Sequence, residues 1–179
     1  MDTVHTVQQE LTDLLFQEGA RLVGVADLEN ISQAVLPVGI AVAIPLPAAI
    51  IHSLIHFPTK EYYDVYQEYN QRLNQIVLAG ERYLHARGFR AQANTTDRVQ
   101  TDEKYCTHLP HKTVATRAGL GWIGKSCLLV TPEFGSAVRL SSLLTDAPFV
   151  CRDPVLESRC GTCSACVNSC PGNALKGTL

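Results

Sequence analysis

The chain has 179 residues, of which 46% are hydrophobic and 18% charged, and its formal net charge is −2 at pH 7. The charged fraction lies below the roughly 25% of an average soluble protein, which favours a well-buried core. The charge balance provides no basic footprint for nucleic acid, and no apolar run reaches the roughly 20 residues of a membrane span. The N-terminus lacks the features of a signal peptide, so we expect a cytoplasmic protein whose partners include neither nucleic acid nor a membrane.

The N-terminal part of the chain predicts helices alternating with buried strands. Apolar residues at helical spacing predict a helix over residues 4–15, which Gly19 ends. Two short apolar runs, at residues 21–26 and 38–44, predict buried strands. Strands of this kind indicate a sheet that is covered on both faces.

The chain continues with its longest predicted helix, at residues 59–87. We then expect, in order, a strand at 89–93, a polar loop at 94–104, a helix at 110–118, and a hairpin of strands 125–130 and 137–140. The sequence therefore predicts an α/β (α+β) core over residues 1–148, with a mixed sheet covered by helices. A ferredoxin-like iron-sulfur segment would follow over residues 149–179.

This last segment carries the ferredoxin-type pattern C-x2-C-x2-C-x3-C-P. The predicted metal ligands are Cys160, Cys163, Cys166 and Cys170, and Pro171 follows the last of them. Thiolates at this spacing can reach different irons of one 4Fe-4S cluster, and the small residues between them let backbone amides approach the cluster sulfurs. The pattern therefore predicts an iron-sulfur cofactor.

Other interpretations of the run are weaker. A disulfide framework would need an oxidising compartment, and a structural zinc site would pair two separated cysteine knuckles rather than one overlapping run. In two-cluster ferredoxins the fourth cysteine ligates the other cluster, yet no cysteine follows Cys170 before the sequence stops at Leu179. We therefore expect the chain to hold its cluster poorly, with the loop after Arg159 disordered, metal-free or ligated in a makeshift way. Cys151 is a candidate substitute ligand.

A glycine-rich stretch at residues 119–126, GLGWIGKS, satisfies both G-x-G-x-x-G and G-x-x-x-x-G-K-[ST]. Both patterns need a strand before the loop and a helix after it, and the predicted order here is reversed, so we reject nucleotide binding. Two interpretations stay open: a structural turn with a buried tryptophan, or a turn packed against a flat ligand or a neighbouring element. For a ligand, the cofactor-binding residues would be Gly119, Gly121, Trp122, Gly124 and Lys125.

The glycine-rich stretch, the TDAP segment at residues 145–148 and the ferredoxin run together resemble the epoxyqueuosine reductase family and its shorter relatives. The reductive dehalogenases are similar more distantly. The resemblance implies a nitroreductase-like or corrinoid-processing-like α/β domain that holds a cobalamin over its sheet, with two 4Fe-4S clusters delivering electrons to the cobalt. It also implies that Cys160, Cys163 and Cys166 ligate one cluster and Cys170 the other, with the remaining ligands beyond Leu179.

The catalytic position departs from that family. Longer members carry an aspartate proton donor in an Asp-Ser/Thr-Ala-Pro segment before the glycine-rich turn, whereas residues 105–110, YCTHLP, contain no aspartate. The candidate substitutes are Asp97, Asp102, His108 and His111. We choose His108 as the catalytic residue, because an imidazole titrates near physiological pH. The core cysteines Cys106 and Cys127 are expected to be small buried hydrophobic residues.

The sequence thus predicts an iron-sulfur oxidoreductase of the epoxyqueuosine reductase-like type, which passes electrons from 4Fe-4S clusters to a bound cobalamin or flavin and on to a substrate. One alternative is a ferredoxin-like electron carrier that docks a partner enzyme and does no chemistry of its own. Another is a tRNA-modifying enzyme proper, against which the even charge balance and the missing aspartate count. The expected partners are an electron donor protein, a small-molecule cofactor and a second copy of the chain in a homodimer.

Overall fold

The computed structural model describes residues 2–55 and 58–178 and contains one main sheet with helices on both sides. In chain order the elements are α1 (Asp2–Gln17), β1 (Leu22–Asp27), β2 (Val38–Pro45), α2 (Ala48–His52), α3 (Lys60–Ala86), β3 (Ala91–Ala93), α4 (His111–Arg117), β4 (Trp122–Ile123), β5 (Leu129–Val130), β6 (Val138–Thr145) and α5 (Ala165–Asn168). The main sheet has the strand order β1-β2-β6-β3, and each neighbouring pair is antiparallel.

Strand β2 is central because almost all of its side chains are apolar and buried. Every residue of the strand except Pro45 is buried, which requires cover on both faces of the sheet. Ile40 of β2 lies opposite Val25 on one side and Leu143 on the other, so the branched side chains of three strands form a continuous layer.

The two faces of the sheet are covered by different helices. On one face α1 and α3 contribute Leu11, Leu15 and Ile76 to the larger core cluster. On the other face α4 supplies Val114 and other small apolar residues. A Cβ at Gly24 of β1 would lie 2.5 Å from the Ala118 carbonyl oxygen, so the absence of a side chain lets the end of α4 approach the strand. This close approach fixes where the turn after α4 begins.

The predicted fold class and the helix-covered sheet are confirmed, with two differences. Every neighbouring pair of strands in the main sheet is antiparallel, whereas a mixed sheet was expected. The hairpin predicted from residues 125–130 and 137–140 is wrong, because β5 pairs with β4 in a separate two-stranded sheet while β6 pairs with β2 and β3. The apolar end of β6 gains more burial in the main sheet than a local hairpin would give it.

The stretch after β6 is tied to the core over residues 149–155. Phe149 is buried, the Arg152 N–H donates to the Val25 carbonyl oxygen at 2.9 Å, and the Val155 N–H donates to the Thr116 carbonyl oxygen at 2.8 Å. The predicted boundary after residue 148 therefore falls within a packed stretch, and the two-domain division stays a prediction. Within the described residues, no helix combines the length and apolarity needed to cross a membrane.

Candidate metal centre and adjoining cavity

The glycine-rich turn joins α4 to the small sheet of β4 and β5. Helix α4 precedes it and strands follow it, which is the order on which we rejected a phosphate loop. Gly119 has a φ of +72°, a left-handed conformation that favours glycine. A Cβ at Gly121 would lie 2.1 Å from the Val130 carbonyl oxygen, so no larger residue fits this position without backbone movement.

The same turn holds the cysteine segment against the core. The Lys125 ammonium donates to the carbonyl oxygen of Gly161 at 2.8 Å and to that of Cys163 at 3.0 Å. A Cβ at Gly124 would lie 3.5 Å from the Cys160 sulfur, so the glycine backbone and this thiol are close neighbours. Of the two interpretations left open by the sequence, the geometry favours close packing on a neighbouring element, and that element is the cysteine segment. The cofactor-binding role of the turn stays a prediction.

The Cys160 thiol lies among groups that favour its ionised form. The Ser158 hydroxyl has the largest effect in lowering its pKa, followed by the Lys125 backbone N–H and then the Trp122 indole. The indole Nε1 of Trp122 is buried and has no hydrogen-bond partner of ordinary geometry among the described residues. The Arg159 guanidinium lies over the same indole, 5.7 Å from the ring centroid. A buried N–H beside a thiol is suited to donate to a thiolate or to a cluster sulfur.

Cys170, at the other end of the run, lies in a turn of backbone amides. The Ala174 N–H donates to its sulfur at 3.4 Å and is the largest cause of a lowered pKa, and the amides of three neighbouring residues add to it. Asn173, in this turn, has a φ of +47°. Because the thiolate is the form that binds iron, these donors favour ligation.

The donor set fits an iron-sulfur group in its chemistry. All seven cysteines are free thiols, and four of them have the ferredoxin spacing with hydrogen-bond donors at both ends of the run. Helix α5 carries Cys166 between the outer thiols. Within residues 2–55 and 58–178, no three histidine, cysteine or acidic side chains converge closely enough to hold one metal ion. The expectation that this segment is disordered, metal-free or irregularly ligated stays a prediction.

The three cysteines outside the run differ from one another. Cys151 packs against the larger core cluster, and its pKa is raised by burial first and then by Asp27 and Glu29, which disfavours a substitute metal ligand. Cys106 and Cys127 are exposed, so the expectation that they are buried is wrong. Cys127 has a φ of +62° at the tip of the turn between β4 and β5, where backbone geometry rather than burial decides its position.

A cavity of about 320 Å³ adjoins the turn, between α4, β6 and residues 127–129. Its polar lining includes His111, Lys112 and Arg139. The Nδ1 atom of His111 lies 3.0 Å from Ser142 Oγ. Burial, and then the nearby Arg139 charge, lower the His111 pKa to about 4, so this imidazole is neutral at pH 7.

The other proposed catalytic substitutes lie outside this cavity. His108 is exposed and lines two cavities beside the loop that precedes α4. The Asp102 carboxylate accepts the backbone N–H groups of Lys104 and Cys106, each at 2.8 Å, which is a structural role within that loop. Asp97 is also exposed. The choice of His108 as the catalytic residue stays a prediction. Of the four candidates, His111 is the one that lines the cavity beside the glycine-rich turn.

Sequence reasoning missed Arg139 as a candidate site residue. Its guanidinium lies over the Tyr66 ring, 4.1 Å from the centroid, and donates to Asn70 Oδ1 at 2.6 Å. A signal was present, since Arg139 is the one charged residue in the stretch VRLSSLLT that forms β6. A charge inside an otherwise apolar and small-residue strand indicates a partner or a site.

Fold and site together define a helix-covered sheet domain whose glycine-rich turn holds a ferredoxin-type cysteine segment. No family model matches the chain. The epoxyqueuosine reductase of Bacillus subtilis is 35% identical over 116 residues, which cover 65% of this chain and 26% of the relative. That of Bacillus anthracis is 46% identical over 67 residues, which cover 37% of this chain and 17% of the relative.

Solved structures share the fold of this chain. A crystal structure of epoxyqueuosine reductase with an epoxyqueuosine-modified tRNA-Tyr stem loop matches 96% of this chain and 53% of its own, with 23% identity and a TM-score of 0.65. A catabolic reductive dehalogenase in complex with 3-bromo-4-hydroxybenzoic acid matches 94% of this chain and 25% of its own, with 17% identity and a TM-score of 0.79. The chain is thus epoxyqueuosine reductase-like and shares its fold, more distantly, with reductive dehalogenases. It spans about half the length of the solved reductase and a smaller share of the curated relatives that it matches.

Proposed function

We propose that the chain is the redox core of an iron-sulfur oxidoreductase of the epoxyqueuosine reductase-like type. In this proposal Cys160, Cys163 and Cys166 hold one 4Fe-4S cluster and Cys170 serves a second. The observation that carries the proposal is the pair of hydrogen bonds from Lys125 to the cysteine segment. They join the glycine-rich motif on which the resemblance rests to the only ferredoxin-type run in the sequence.

The residues around Cys160 prepare a place for a cluster sulfur. A bound iron-sulfur cluster supplies single electrons. The Ser158 hydroxyl and the Lys125 backbone N–H favour the thiolate at Cys160, and the unpaired Trp122 N–H is free to donate to sulfur. Donors and positive charge near cluster sulfurs stabilise the more negative, reduced state, so they raise the reduction potential.

We place the electron acceptor beside the same turn. Residues 127–129 begin two positions after Lys125 in the sequence and line the 320 Å³ cavity, so this cavity adjoins the turn. One neighbour in fold, with a TM-score of 0.77 and 16% identity, is a reductive dehalogenase whose structure suggests a mechanism for B12-dependent dehalogenation. A cobalamin is therefore our first choice of second cofactor and a flavin the alternative. Trp122 and Lys125 are its proposed contacts.

The proposed partner is an electron donor protein, and the proposed compartment is the cytoplasm. The expectation that nucleic acid is not a partner stays a prediction, since a relative of the same fold was solved with a tRNA stem loop. The homodimer also stays a prediction.

Cofactor binding and electron transfer can be tested together on anaerobically reconstituted protein. The protein is passed through a desalting column with cobalamin or with flavin, and reoxidation of the dithionite-reduced cluster is then followed by stopped-flow absorbance. The proposal predicts that one cofactor co-elutes and accelerates reoxidation. A protein that binds iron and sulfide but neither cofactor would instead be an electron carrier, and one that binds no iron after reconstitution would contradict both functions.

A further inference from the structure

The cavity beside the turn has cations but no anion in its lining. Lys112 and Arg139 both line it, and no aspartate or glutamate does. Neither cation makes an ion pair within the described residues, although the structure contains five such pairs elsewhere. Because half-buried charges without a counter-charge are costly, two of them around one cavity indicate that an anion is supplied from outside.

Both cations are held in place by neutral groups. The Arg139 guanidinium is fixed by the Asn70 side-chain oxygen, at 2.6 and 3.2 Å, and by the Tyr66 ring beneath it. The Lys112 ammonium donates to the Cys127 carbonyl oxygen at 2.9 Å, which leaves two of its three protons free. These contacts orient the charges without neutralising them, which is the arrangement expected of an anion-binding site.

His111 adds a neutral donor to the same cavity. The Asn94 amide donates to Ser142 Oγ at 3.0 Å, and Ser142 Oγ lies 3.0 Å from His111 Nδ1. Because Ser142 Oγ accepts from Asn94, its own hydroxyl proton is available to His111 Nδ1. This arrangement puts the imidazole proton on Nε2. The lowered His111 pKa agrees with an uncharged ring in this position.

Much of the remaining lining is apolar, and Thr107, Cys127 and Ser136 complete it. Leu129, Val138 and Leu140 supply the apolar part, together with Pro110 and the exposed Leu128. The volume of about 320 Å³ is at the low end of the roughly 300–1,000 Å³ of small-molecule sites. We propose that this cavity binds a small organic oxyanion, a carboxylate or a phosphate monoester with an apolar body, whose oxygens contact Arg139 and Lys112. As a substrate of the proposed oxidoreductase, this ligand rests on the proposed function, but the binding itself does not require a cluster.

Isothermal titration calorimetry on the full chain tests the proposal with three probes of similar shape. We expect benzoate and phenyl phosphate to bind, and the neutral isostere benzamide to bind at least tenfold more weakly, since it cannot pair with the cations. Tighter binding of benzoate would identify the carboxylate class, and tighter binding of phenyl phosphate the phosphate class. Equal affinity for benzoate and benzamide, or no binding of either anion, would overturn the proposal.

Two variants and a control locate the binding. Lys112→Gln and Arg139→Lys should each weaken anion binding, the first by roughly tenfold and the second by less, since the charge is kept while the planar fork is lost. Arg82→Gln, at an exposed position of α3 outside the cavity, should leave binding unchanged. Equal weakening by all three would contradict the assignment. Iron content is measured in parallel, so that loss of the cluster and loss of anion binding are told apart.

Discussion

Replacing Lys125 with methionine is expected to loosen the cysteine segment while leaving the main sheet intact. The Lys125 ammonium makes two charge-assisted hydrogen bonds to this segment, to the carbonyl oxygens of Gly161 and Cys163. Methionine keeps much of the apolar stem of lysine but has no donor for either carbonyl.

The expected size of the effect follows from the exposure of these bonds. Hydrogen bonds to charged groups contribute about 1.5–3 kcal/mol each when well buried. Both bonds of Lys125 are exposed, so solvent screening reduces their joint contribution to about 1–2 kcal/mol. A local destabilisation of this size corresponds to roughly five- to thirtyfold faster amide exchange in the segment.

Hydrogen exchange read by mass spectrometry measures this effect without a cluster. Peptides covering residues 160–170 should exchange faster in Lys125→Met, whereas peptides from β2 and β6 should not change. Lys176→Met is the matched control, because Lys176 is exposed near the same segment and its side chain makes no hydrogen bond within residues 2–55 and 58–178. Unchanged exchange at residues 160–170, or equal acceleration in the control, would refute the role assigned to Lys125.

Three further predictions concern the turn and the cavity. Trp122→Phe should lower the reduction potential of a reconstituted cluster, because it removes an N–H that faces the Cys160 sulfur; potentiometric titration followed by electron paramagnetic resonance measures this. The folded-state pKa of His111, about 4, lies below its ordinary value of 6.5, so its stability contribution is full above pH 6.5 and is lost as pH falls towards 4. His111→Gln should remove about 2 kcal/mol of this pH dependence in urea unfolding, allowing for the partial exposure of the ring. Gly121→Ala should destabilise the protein by about 3 kcal/mol, because its Cβ would meet the Val130 carbonyl oxygen at 2.1 Å.

Each of these predictions has an outcome that would contradict it. An unchanged potential in Trp122→Phe would mean that the indole N–H does not reach the cluster. His52→Gln, at an exposed histidine, is the control for the pH profile, and an equal loss of slope there would remove the assignment to His111. Gly172→Ala is the control for Gly121, since an added Cβ at Gly172 meets no atom within 4 Å. Equal stability of the two alanine variants would argue against the close packing of the turn.

Local patterns were enough to predict most of the core. The apolar runs that became β1 and β2 are buried on both faces, and a strand of this kind is recognisable from composition alone. The pairing of β6 was not recognisable, because the TPEFG segment before it satisfies the local rules for a hairpin turn. Strand β6 nevertheless pairs with β2 and β3 in the main sheet, where Leu143 and Leu144 are buried. Strand partners depend on burial over the whole domain, which no short window of sequence contains.

The candidate site, like the fold, was predictable from the sequence only where the signal is local. The spacing from Cys160 to Cys170 is a local signal, and the sequence predicted the cysteine segment from it. The contact between Lys125 and Cys163 joins positions far apart in the chain and could not be predicted from either motif. His111 was one of four candidates, and only the packing of α4 against β6 gives it the enclosed position beside Arg139.

The central claim is that the ferredoxin-type run holds an iron-sulfur cluster against the glycine-rich turn. The most direct measurement is the iron and sulfide content, with the absorption spectrum, of anaerobically reconstituted protein and of its cysteine-to-serine variants. We expect Cys160→Ser and Cys163→Ser to lose most of the iron and sulfide and the broad visible absorption of the cluster, while Cys106→Ser, at an exposed thiol outside the run, keeps both. Full iron and sulfide in Cys160→Ser, or none in the unmodified protein, would contradict the account.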